Sequence, residues 1–524
     1  KPFAKFDRLF KTAIRGFPYS YSMFVDSMRT WLLDKLWVRS LIAKTLNIDS
    51  DRVLFSDHHM SHAASAYFCS PFDESAVITF DGVGEWTTTS TGVGKGHNLT
   101  LDQEILFPHS IGLLYSAFTA FLGFEVNEGE YKVMGMAPYG EPRYIDKIWK
   151  VIHQIDNGAF RMDPKYFSYH QSAKRPYSRN FLELFGEPRR PESPFFTKTS
   201  GIPSYYEPLP RNINELYEYN QYYADIAASI QVVTEDLILS IVREVHRKTN
   251  LTRLCLAGGV ALNSVANSRI LNETPFNELY IQPSAGDGGA ALGAALVAWH
   301  CALGNTKRFV MEHAYWGAEY SPDDTRAALE KAGAKSRLVE NEDELMGLAV
   351  DRLEGGQVIG WFRDRFEWGP RALGNRSILA DPRRSDTKEV VNEKIKFREP
   401  FRPFAPAVLA EDVARFFKLD NPEDQIAARF MLLVVPVVEE KQEIIPAVSH
   451  LGTARIQAVH ADFSPSFHHL IRRFGEATSV PILLNTSFNV RGEPIVNSPQ
   501  DAINTFRNSG LDSLFLGNYL VEKS

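Results

Sequence analysis

Cysteine is scarce in this chain, and long apolar runs are missing. The 524 residues include three cysteines, and no two of them form a C-x-x-C pair. This pattern excludes a disulfide framework and is typical of a reducing compartment. No segment approaches the roughly 18 consecutive apolar residues that a membrane-spanning helix needs. No signal peptide opens the chain, so we expect a cytoplasmic protein with no membrane partner.

An excess of positive charge is also missing. The formal net charge is −7, which argues against a general nucleic-acid binder and leaves room only for a local basic site. At 524 residues the chain is too long for one core, because single cores stop growing at about 250–300 residues. We expect a domain of residues 1–315 followed by one of residues 316–524. The chain opens on Lys1, in a basic and aromatic segment, and we expect that part of its N-terminus is missing.

Hydrophobic patterning predicts most of the elements. Residues 20–50 have helical spacing, residues 52–55 (RVLF) suggest a short strand, and Ser56 and Asp57 are good caps for a helix from about His58. Residues 76–92 predict a β-hairpin and residues 219–248 a long helix. The Gly- and Pro-rich residues 130–145 predict an active-site loop rather than a core element, and residues 164–212 an irregular insertion.

Two histidines stand four residues apart in the segment SDHHMSHAASAY. On a helix this spacing places His58 and His62 on one face, an arrangement that suits a divalent metal, whereas His59 points about 100° away. A pair of histidines with this spacing is more commonly exposed on the surface, or buried with its hydrogen bonds made in the core, than bound to a metal.

Two aspartates strengthen the metal hypothesis. Asp81 ends a predicted strand, and Asp287 lies at a strand-to-helix turn. Ligands of open α/β sheets bind at the carboxyl ends of strands. Two His and two Asp there would suit iron or zinc, although a plain turn residue (Asp81) and a helix cap (Asp287) remain the simpler alternatives.

Glycine-rich turns follow two predicted strands. LAGGVALN contains Gly258, Gly259 and Asn263, and SAGDGGA contains Gly286. Such turns let backbone N–H groups approach a nucleotide at a helix N-terminus. Neither matches a P-loop, and a tight strand-to-helix turn is the more economical interpretation.

Basic residues cluster in the C-terminal half, where proline and phenylalanine are interleaved with them. The cluster consists of Arg371, Arg376, Lys396, Arg398 and Arg402. Arginine binds phosphate oxygens in pairs and lysine acts as a point charge. We interpret the cluster as a phosphate site rather than a solvated surface, with Asn485 and Ser487 placed after a predicted strand to orient a carbamate and a phosphate.

Several long motifs occur in a fixed order from about residue 52 to the end. They are HHxSHAASA, VITFDGxGE, KVMGMAPYG, LAGGVALN, GDGGAALGAA, GPRALGNRSIL, KFREPFRPFAP and LLNTSFNxRGEPIV. The chain thus resembles the O-carbamoyltransferase family of nodulation-factor and antibiotic biosynthesis, which includes tobramycin O-carbamoyltransferase.

The resemblance implies an α/β domain with an actin/Hsp70-like ATPase fold, followed by a YrdC-like α+β domain. It implies that carbamoyl phosphate and ATP form carbamoyl adenylate in the second domain. The first domain would then transfer the carbamoyl group to a hydroxyl of a natural product and release AMP. The expected partners are carbamoyl phosphate, ATP with Mg²⁺ and a small-molecule hydroxyl acceptor, without nucleic acid, and a homodimer is an assembly to test.

Site residues are also implied by the resemblance. The implied ligands of Fe²⁺, with Zn or Mn as alternatives, are His58, His62, Asp81 and Asp287, and the implied nucleotide wall includes Gly258, Gly259, Asn263 and Gly286. The implied carbamoyl-phosphate and ATP site consists of Arg371, Lys396, Arg402, Arg455, Asn485 and Ser487, of which Lys396, Arg371, Arg402 and Ser487 would be catalytic.

The chain departs from the family in one respect. Family members begin with a strand and an H-D-x-[SA]-A segment whose histidine lies at the transfer centre, and no such segment precedes residue 52. The general base of the transfer step is therefore unassigned. The alternatives are a regulatory nucleotide-binding protein of actin-like fold and a tRNA-modifying transferase.

Overall fold

The computed structural model describes residues 2–33, 35–169, 172, 175–191, 193–202 and 211–523. They form two compact units, Lys1–Val310 and Met311–Ser524. The boundary lies a few residues before the expected 315/316 boundary. Each unit is a mixed α/β structure, described separately below.

The N-terminal unit contains a sheet, a long helix and a series of shorter helices. Its helices are α1 Pro2–Gly16, α2 Tyr21–Leu33, α3 Val38–Leu46, α4 His58–Tyr67, α5 Ile111–Phe121, α6 Glu130–Met136, α7 Ile145–Ile148, α8 Arg179–Phe185, α9 Ile213–Thr249, α10 Ser264–Glu273 and α11 Asp287–Leu296. Its strands are β1 Glu74–Phe80, β2 Thr87–Lys95, β3 Asn98–Leu106, β4 Ile152–Gln154, β5 Phe160–Met162, β6 Arg253–Ala257 and β7 Glu278–Ile281.

The main sheet of this unit has the order β3-β2-β1-β6-β7. Strands β1 to β3 form an antiparallel meander, and β1, β6 and β7 are parallel to one another. Because β1, β6 and β7 are parallel, their carboxyl ends lie at one edge of the sheet. The predicted hairpin, the long helix and both strand–glycine turn–helix units are confirmed.

Two local predictions are wrong. Residues 52–55 form no strand; they follow a 3₁₀ turn, Ser50–Arg52, into extended chain. Residues 130–145 begin with helix α6, and Val133 and Met136 are fully buried. Glycine and proline lower local helix propensity, but burial of this apolar side outweighs that preference.

The expected insertion over residues 164–212 is described only in part. Its described residues include the 3₁₀ turn Pro164–Tyr166 and helix α8. Phe181 and Phe185 of α8 pack against Phe118 of α5 at ring-centroid distances of 5.1 and 5.2 Å. The remainder of that prediction, including residues 203–210, lies outside the described residues.

The C-terminal unit is built around a second, larger sheet. Its helices are α12 Pro322–Ala332, α13 Glu342–Glu354, α14 Thr387–Glu389, α15 Val413–Phe416, α16 Ile426–Arg429, α17 Pro465–Thr478 and α18 Pro499–Arg507. Its strands are β8 Ser336–Leu338, β9 Ile359–Phe362, β10 Arg376–Ala380, β11 Ala405–Leu409, β12 Val434–Pro436, β13 Thr453–Arg455, β14 Gln457–Val459, β15 Ile482–Ser487, β16 Ser513–Leu516 and β17 Tyr519–Glu522.

This sheet is mixed, with the order β14-β11-β15-β10-β9-β16-β17-β8. Strand β15 pairs antiparallel with both β10 and β11. Leu345 of α13 and Phe467 and Leu470 of α17 are fully buried with Trp361 and Leu483 from the sheet in one apolar cluster. The loops at the ends of β10 and β15 therefore project from a sheet that is packed against buried helices.

No helix among the described residues is long and apolar enough to cross a bilayer.

Helices α4 and α11 approach each other closely because small residues lie between them. A Cβ added at Gly293 of α11 would lie 1.7 Å from the carbonyl oxygen of Ser61 in α4. Ala63, Ala64 and Ala66 of α4 are fully buried. Glycine at position 293 is therefore what lets the two helices meet.

We predict that Gly293→Ala lowers the free energy of unfolding by about 1–3 kcal/mol, because the new methyl group forces the helices apart. Gly347→Ala is the matched control, since its added Cβ meets nothing within 4 Å in the middle of α13 and alanine favours the helix by about 1 kcal/mol. Denaturant unfolding measures both. A Gly293→Ala protein as stable as the wild type would contradict the close packing.

Candidate functional site

Helix α4 brings two imidazoles to one point. It begins at His58, and Nε2 of His58 lies 3.1 Å from Nε2 of His62 one turn later. The side chain of His58 is 23% exposed and that of His62 is fully buried. The prediction that these two residues lie on one face of a helix is confirmed.

Two carboxylates complete this cluster from the edge of the sheet. Asp81 directly follows β1, and its Oδ2 lies 2.9 Å from Nε2 of His58. Asp287 is the first residue of α11, and its Oδ1 lies 3.5 Å from Nε2 of both histidines. One donor atom from each of the four residues lies within 4.8 Å of the others. Asp287 is 80% exposed, so the cluster opens to solvent on its side.

The charges of this cluster stabilise one another. Burial lowers the pKa of His58, but the hydrogen bond and charge of Asp81 raise it above its ordinary value. Burial raises the pKa of Asp81, yet the hydrogen bond from His58 and the charge of His62 hold it well below its usual range. A hydrogen bond from His62 likewise lowers the pKa of Asp287. Both acids are therefore carboxylates at neutral pH.

This donor set fits a divalent transition metal. Bonds of about 2.0–2.2 Å from nitrogen and oxygen to one ion place the donor atoms roughly 3–4 Å apart. The distances of 2.9, 3.1 and 3.5 Å within the cluster lie close to that span. Mixed imidazole and carboxylate ligands suit iron, zinc or manganese.

His59 points away from the cluster, as predicted. Its Nδ1 lies 2.6 Å from Oγ1 of Thr79, and its Nε2 lies 2.8 Å from the carbonyl oxygen of Thr87. Burial lowers the pKa of His59 to about 4, so it is neutral at physiological pH. It joins α4 to the hairpin.

Glu85 is a contributor that the sequence pattern missed. The expected caps of α4 were Ser56 and Asp57, yet the N-cap Asp57 makes no side-chain cap bond. Oε2 of Glu85 instead accepts a hydrogen bond of 3.2 Å from the backbone N–H of His58. A cap supplied by another element cannot be found from local sequence.

The glycine turns lie beside this cluster. Gly258 has φ +92°, and an added Cβ would lie 2.1 Å from the carbonyl oxygen of Phe80. Its N–H donates to the carbonyl of Ala285 at 2.8 Å, which joins the turns after β6 and β7. The N–H of Gly259 donates to Oδ1 of Asp81 at 3.3 Å, so this turn also positions a member of the cluster.

The two other residues of the expected nucleotide wall differ in their surroundings. A Cβ at Gly286 would meet nothing within 4 Å, which places this N-cap of α11 beside open space. Asn263 caps α10 through Oδ1, which accepts from the N–H of Ala266 at 3.2 Å, and it also bonds Gln231. Asn263 therefore positions the helix N-terminus.

A cation cluster forms in the C-terminal unit. Burial, followed by the charges of Arg371, Arg398 and Arg402, lowers the pKa of Arg455 well below its ordinary value. Burial and the charges of Arg398 and Arg402 do the same for the pKa of Lys396. Arg398 and Arg402 thus repel both Arg455 and Lys396, and Arg371 also repels Arg455. This region of positive charge favours an anionic ligand.

Lys396 holds the end of β15. Its Nζ lies 2.7 Å from the carbonyl oxygen of Ser487, 3.2 Å from Oγ of Ser487, and 2.8 and 2.7 Å from the carbonyl oxygen and Oδ1 of Asn489. Oγ of Ser487 also donates to Oδ1 of Asn489 at 2.7 Å. Asn489 lies within the quoted NTSFN segment but was not selected from the sequence.

Asn485 lies behind the cation cluster, in the core. It is 1% exposed, and its Nδ2 donates to Oε1 of Gln457 at 2.7 Å and to the carbonyl of Ala372 at 3.3 Å. These two bonds link the segments that carry Arg371 and Arg455. Oδ1 of Asn485 has no hydrogen-bond partner among the described residues, and the contact of this amide with substrate stays a prediction. Asn485 lies inside β15, directly after the fully buried Leu484.

Arg376 belongs to the core and not to the cation cluster in which the sequence pattern placed it. It is fully buried and donates to the carbonyl oxygens of Arg363, Asp364 and Ala318. Its guanidinium lies 3.6 Å from the ring centroid of Phe362. It is the first residue of β10, a strand whose five residues are all buried.

Two family models match this chain. One, described as the carbamoyltransferase N-terminus, matches residues 4–296, and the other, described as the carbamoyltransferase C-terminus, matches residues 350–523. Together they cover both units.

Curated relatives agree with this match. A protein of Synechocystis, sll1178, is 43% identical over 100% of this chain and 86% of its own length. The nodulation protein NolO of Bradyrhizobium diazoefficiens is 37% identical over 89% of this chain and 79% of its own. The 3'-hydroxymethylcephem-O-carbamoyltransferase of Amycolatopsis lactamdurans is 34% identical over 52% of this chain and 49% of its own.

A crystal structure of full-length HypF in its phosphate- and nucleotide-bound form covers 35% of this chain and 22% of its own, at 16% identity and a TM-score of 0.26. That likeness is too low to carry an argument. The sequence matches are sufficient: the chain belongs to the carbamoyltransferase family and is a transferase enzyme, as its resemblance to the O-carbamoyltransferases predicts.

Proposed function

We propose that the chain is an ATP-dependent O-carbamoyltransferase that acts on a hydroxyl of a small natural product. The observation that carries this proposal is the gathering of Arg371, Lys396, Arg398, Arg402 and Arg455. Burial first, and the charges of neighbouring arginines second, lower the pKa of Arg455 and Lys396. Carbamoyl phosphate and ATP bring several negative charges to one place, and such a cluster offsets them.

The proposed reaction has two stages. Water cleaves carbamoyl phosphate to carbamate and phosphate, and a carbamate oxygen attacks the α-phosphorus of ATP, so that carbamoyl adenylate forms and pyrophosphate leaves. The acceptor oxygen then attacks the carbamoyl carbon, its proton passes to a base, and AMP leaves. Arg371, Arg402 and Arg455 would bind the phosphate oxygens, and Lys396 and Ser487 would orient the reacting groups by position and charge.

The folds that we propose for the two units are those that the family resemblance implies. We infer an actin-like ATPase fold for the N-terminal unit, supported by an antiparallel meander that continues into two parallel strands. We infer a YrdC-like fold for the C-terminal unit, supported by its mixed sheet with helices α13 and α17 packed against it. The wall of Gly258, Gly259 and Gly286 would then face the adenylate, with α10 and α11 beginning there.

We infer Fe²⁺ at His58, His62, Asp81 and Asp287, with zinc or manganese as alternatives and Mg²⁺ bound with ATP. Distances between donor atoms of 2.9 to 3.9 Å support one shared ion. When bound, the metal would act as a Lewis acid and template for the transferred group. The histidines and aspartates hold it, and Glu85 and Gly259 orient His58 and Asp81.

We predict that His58→Ala and His62→Ala each remove most of the metal that copurifies with the protein, because either change deletes one of the four ligands. His97→Ala is the control, since His97 is an exposed residue outside the cluster. Elemental analysis of anaerobically purified proteins measures the content and identifies the ion. Full occupancy in the His58→Ala protein would defeat the ligand assignment.

The remaining partners also stay predictions. A transferase in the carbamoyltransferase family is favoured over the regulatory nucleotide-binding alternative. The net charge of −7 favours a small acceptor over tRNA. A cytoplasmic location and a homodimer remain to be tested.

The function is tested by incubating the protein with ATP, carbamoyl phosphate and a panel of hydroxylated small molecules that includes 3'-hydroxymethylcephem. Mass spectrometry would detect one added carbamoyl group on an acceptor. We expect Arg455→Ala to reduce product formation at least about tenfold, because a charged contact to phosphate is lost. Arg415→Ala, on an exposed face of α15, is the matched control and should leave it unchanged.

Release of pyrophosphate that requires both substrates would support the proposal even where no acceptor in the panel reacts. A wild-type protein that releases no pyrophosphate and modifies no acceptor would overturn it.

A further inference from the structure

A buried carboxylate lies beneath the loop that carries Arg371. Oε1 of Glu367 accepts three backbone hydrogen bonds, from the N–H groups of Leu373 at 2.7 Å, Asn375 at 2.8 Å and Arg376 at 3.2 Å. The residue is 4% exposed. One side chain therefore gathers three N–H groups of one loop. We call residues 369–376 the arginine loop.

The carbonyl groups of the same loop are held from another direction. The carbonyl oxygen of Leu373 accepts from Nε2 of Gln457 at 2.7 Å and from the Tyr315 hydroxyl at 2.9 Å. Nδ2 of Asn485 donates to the carbonyl of Ala372 at 3.3 Å. Gln457 stands two residues after Arg455, so these bonds fix the arginine loop relative to a second member of the cation cluster.

Burying this carboxylate is unfavourable in itself. Its Oε2 is buried with no hydrogen-bond partner among the described residues. Burial raises the pKa of Glu367, although the N–H groups of Asn375 and Leu373 and the charge of Arg376 oppose that shift. Water could satisfy the N–H groups of the loop without burying a carboxylate. The use of Glu367 therefore indicates that this side chain serves to fix the conformation of the loop.

The loop's shape also requires glycine. Gly369 and Gly374 have φ +112° and +110°, which other residues adopt only with strain. A Cβ at Gly374 would lie 2.1 Å from Cδ1 of Phe467, in the core of the unit. The loop is thus packed against the core on one side while Arg371, between the two glycines, belongs to the cation cluster.

We propose that Glu367 is a positioning residue for anion binding: it holds the arginine loop so that Arg371 and Arg455 engage the same phosphate group of carbamoyl phosphate. This inference rests on the proposed function. Glu367 acts through Arg371 and does not touch the substrate. A small displacement of an aligned charged group is enough to weaken binding greatly.

Two substitutions of Glu367 separate the effect of side-chain length from the effect of side-chain charge. Glu367→Asp keeps the charge but withdraws the carboxylate by one methylene, so it cannot serve all three N–H groups. Glu367→Gln keeps the side-chain length and one accepting oxygen but removes the charge. We expect Glu367→Asp to weaken the binding of carbamoyl phosphate about tenfold and Glu367→Gln to stay within about threefold of the wild type.

Isothermal titration calorimetry with carbamoyl phosphate measures this affinity, and a separate titration with inorganic phosphate measures anion binding without turnover. Asp381→Asn is the control: Asp381 is 2% exposed and bonds the backbone and guanidinium of Arg383. We expect Asp381→Asn to lower the thermal midpoint of unfolding and to leave the affinity per folded molecule unchanged. Substitution of Glu367 would have the same two effects if its role were merely structural.

The outcomes are distinguishable. Wild-type affinity in the Glu367→Asp protein, or equal weakening in Glu367→Asp and Asp381→Asn, would overturn the positioning role. A wild-type protein that binds neither anion would instead overturn the proposed function.

Discussion

Repulsion between cations is the interaction on which the C-terminal unit depends. Burial lowers the pKa of Arg455 and Lys396, and the charges of Arg398 and Arg402 lower both further, with Arg371 adding to the effect on Arg455. Side chains free to move would separate and become solvated. The unit instead holds them on segments tied to its core, so that the favourable partner for the cluster is a multiply charged anion.

The surrounding polar network explains how this unfavourable arrangement persists. Nζ of Lys396 is surrounded by oxygens of Ser487 and Asn489, and the amide of Asn485 joins the segments behind Arg371 and Arg455. In the N-terminal unit, opposite charges attract: two imidazoles face two carboxylates at the edge of a sheet. The close approaches at Gly258 and Gly293 bring these residues together. One unit is thus suited to binding anions and the other to holding a metal.

The sequence predicts periodic features well. The i, i+4 spacing of His58 and His62, the hairpin that contains Asp81 and the glycine turns all depend on local geometry, and the structure places them as expected. Helix α6 was missed because glycine and proline suggest a loop wherever burial is unknown.

Which basic or amide side chains face a pocket is also a tertiary property. Arg371 and Arg376 stand in one motif, yet only Arg376 is turned into the core. The same holds for Asn485 and for Glu367, whose three N–H donors lie six to nine residues further along the chain.

We propose that the cation cluster forms carbamoyl adenylate, and isotope exchange tests this proposal most directly. Labelled pyrophosphate should enter ATP only when carbamoyl phosphate is present, because adenylate formation is reversible, and this exchange should need no acceptor. If the proposal is right, exchange occurs in the wild-type and Arg415→Ala proteins and is lost in the Arg455→Ala protein. Exchange without carbamoyl phosphate, or formation of ADP in place of exchange, would contradict it.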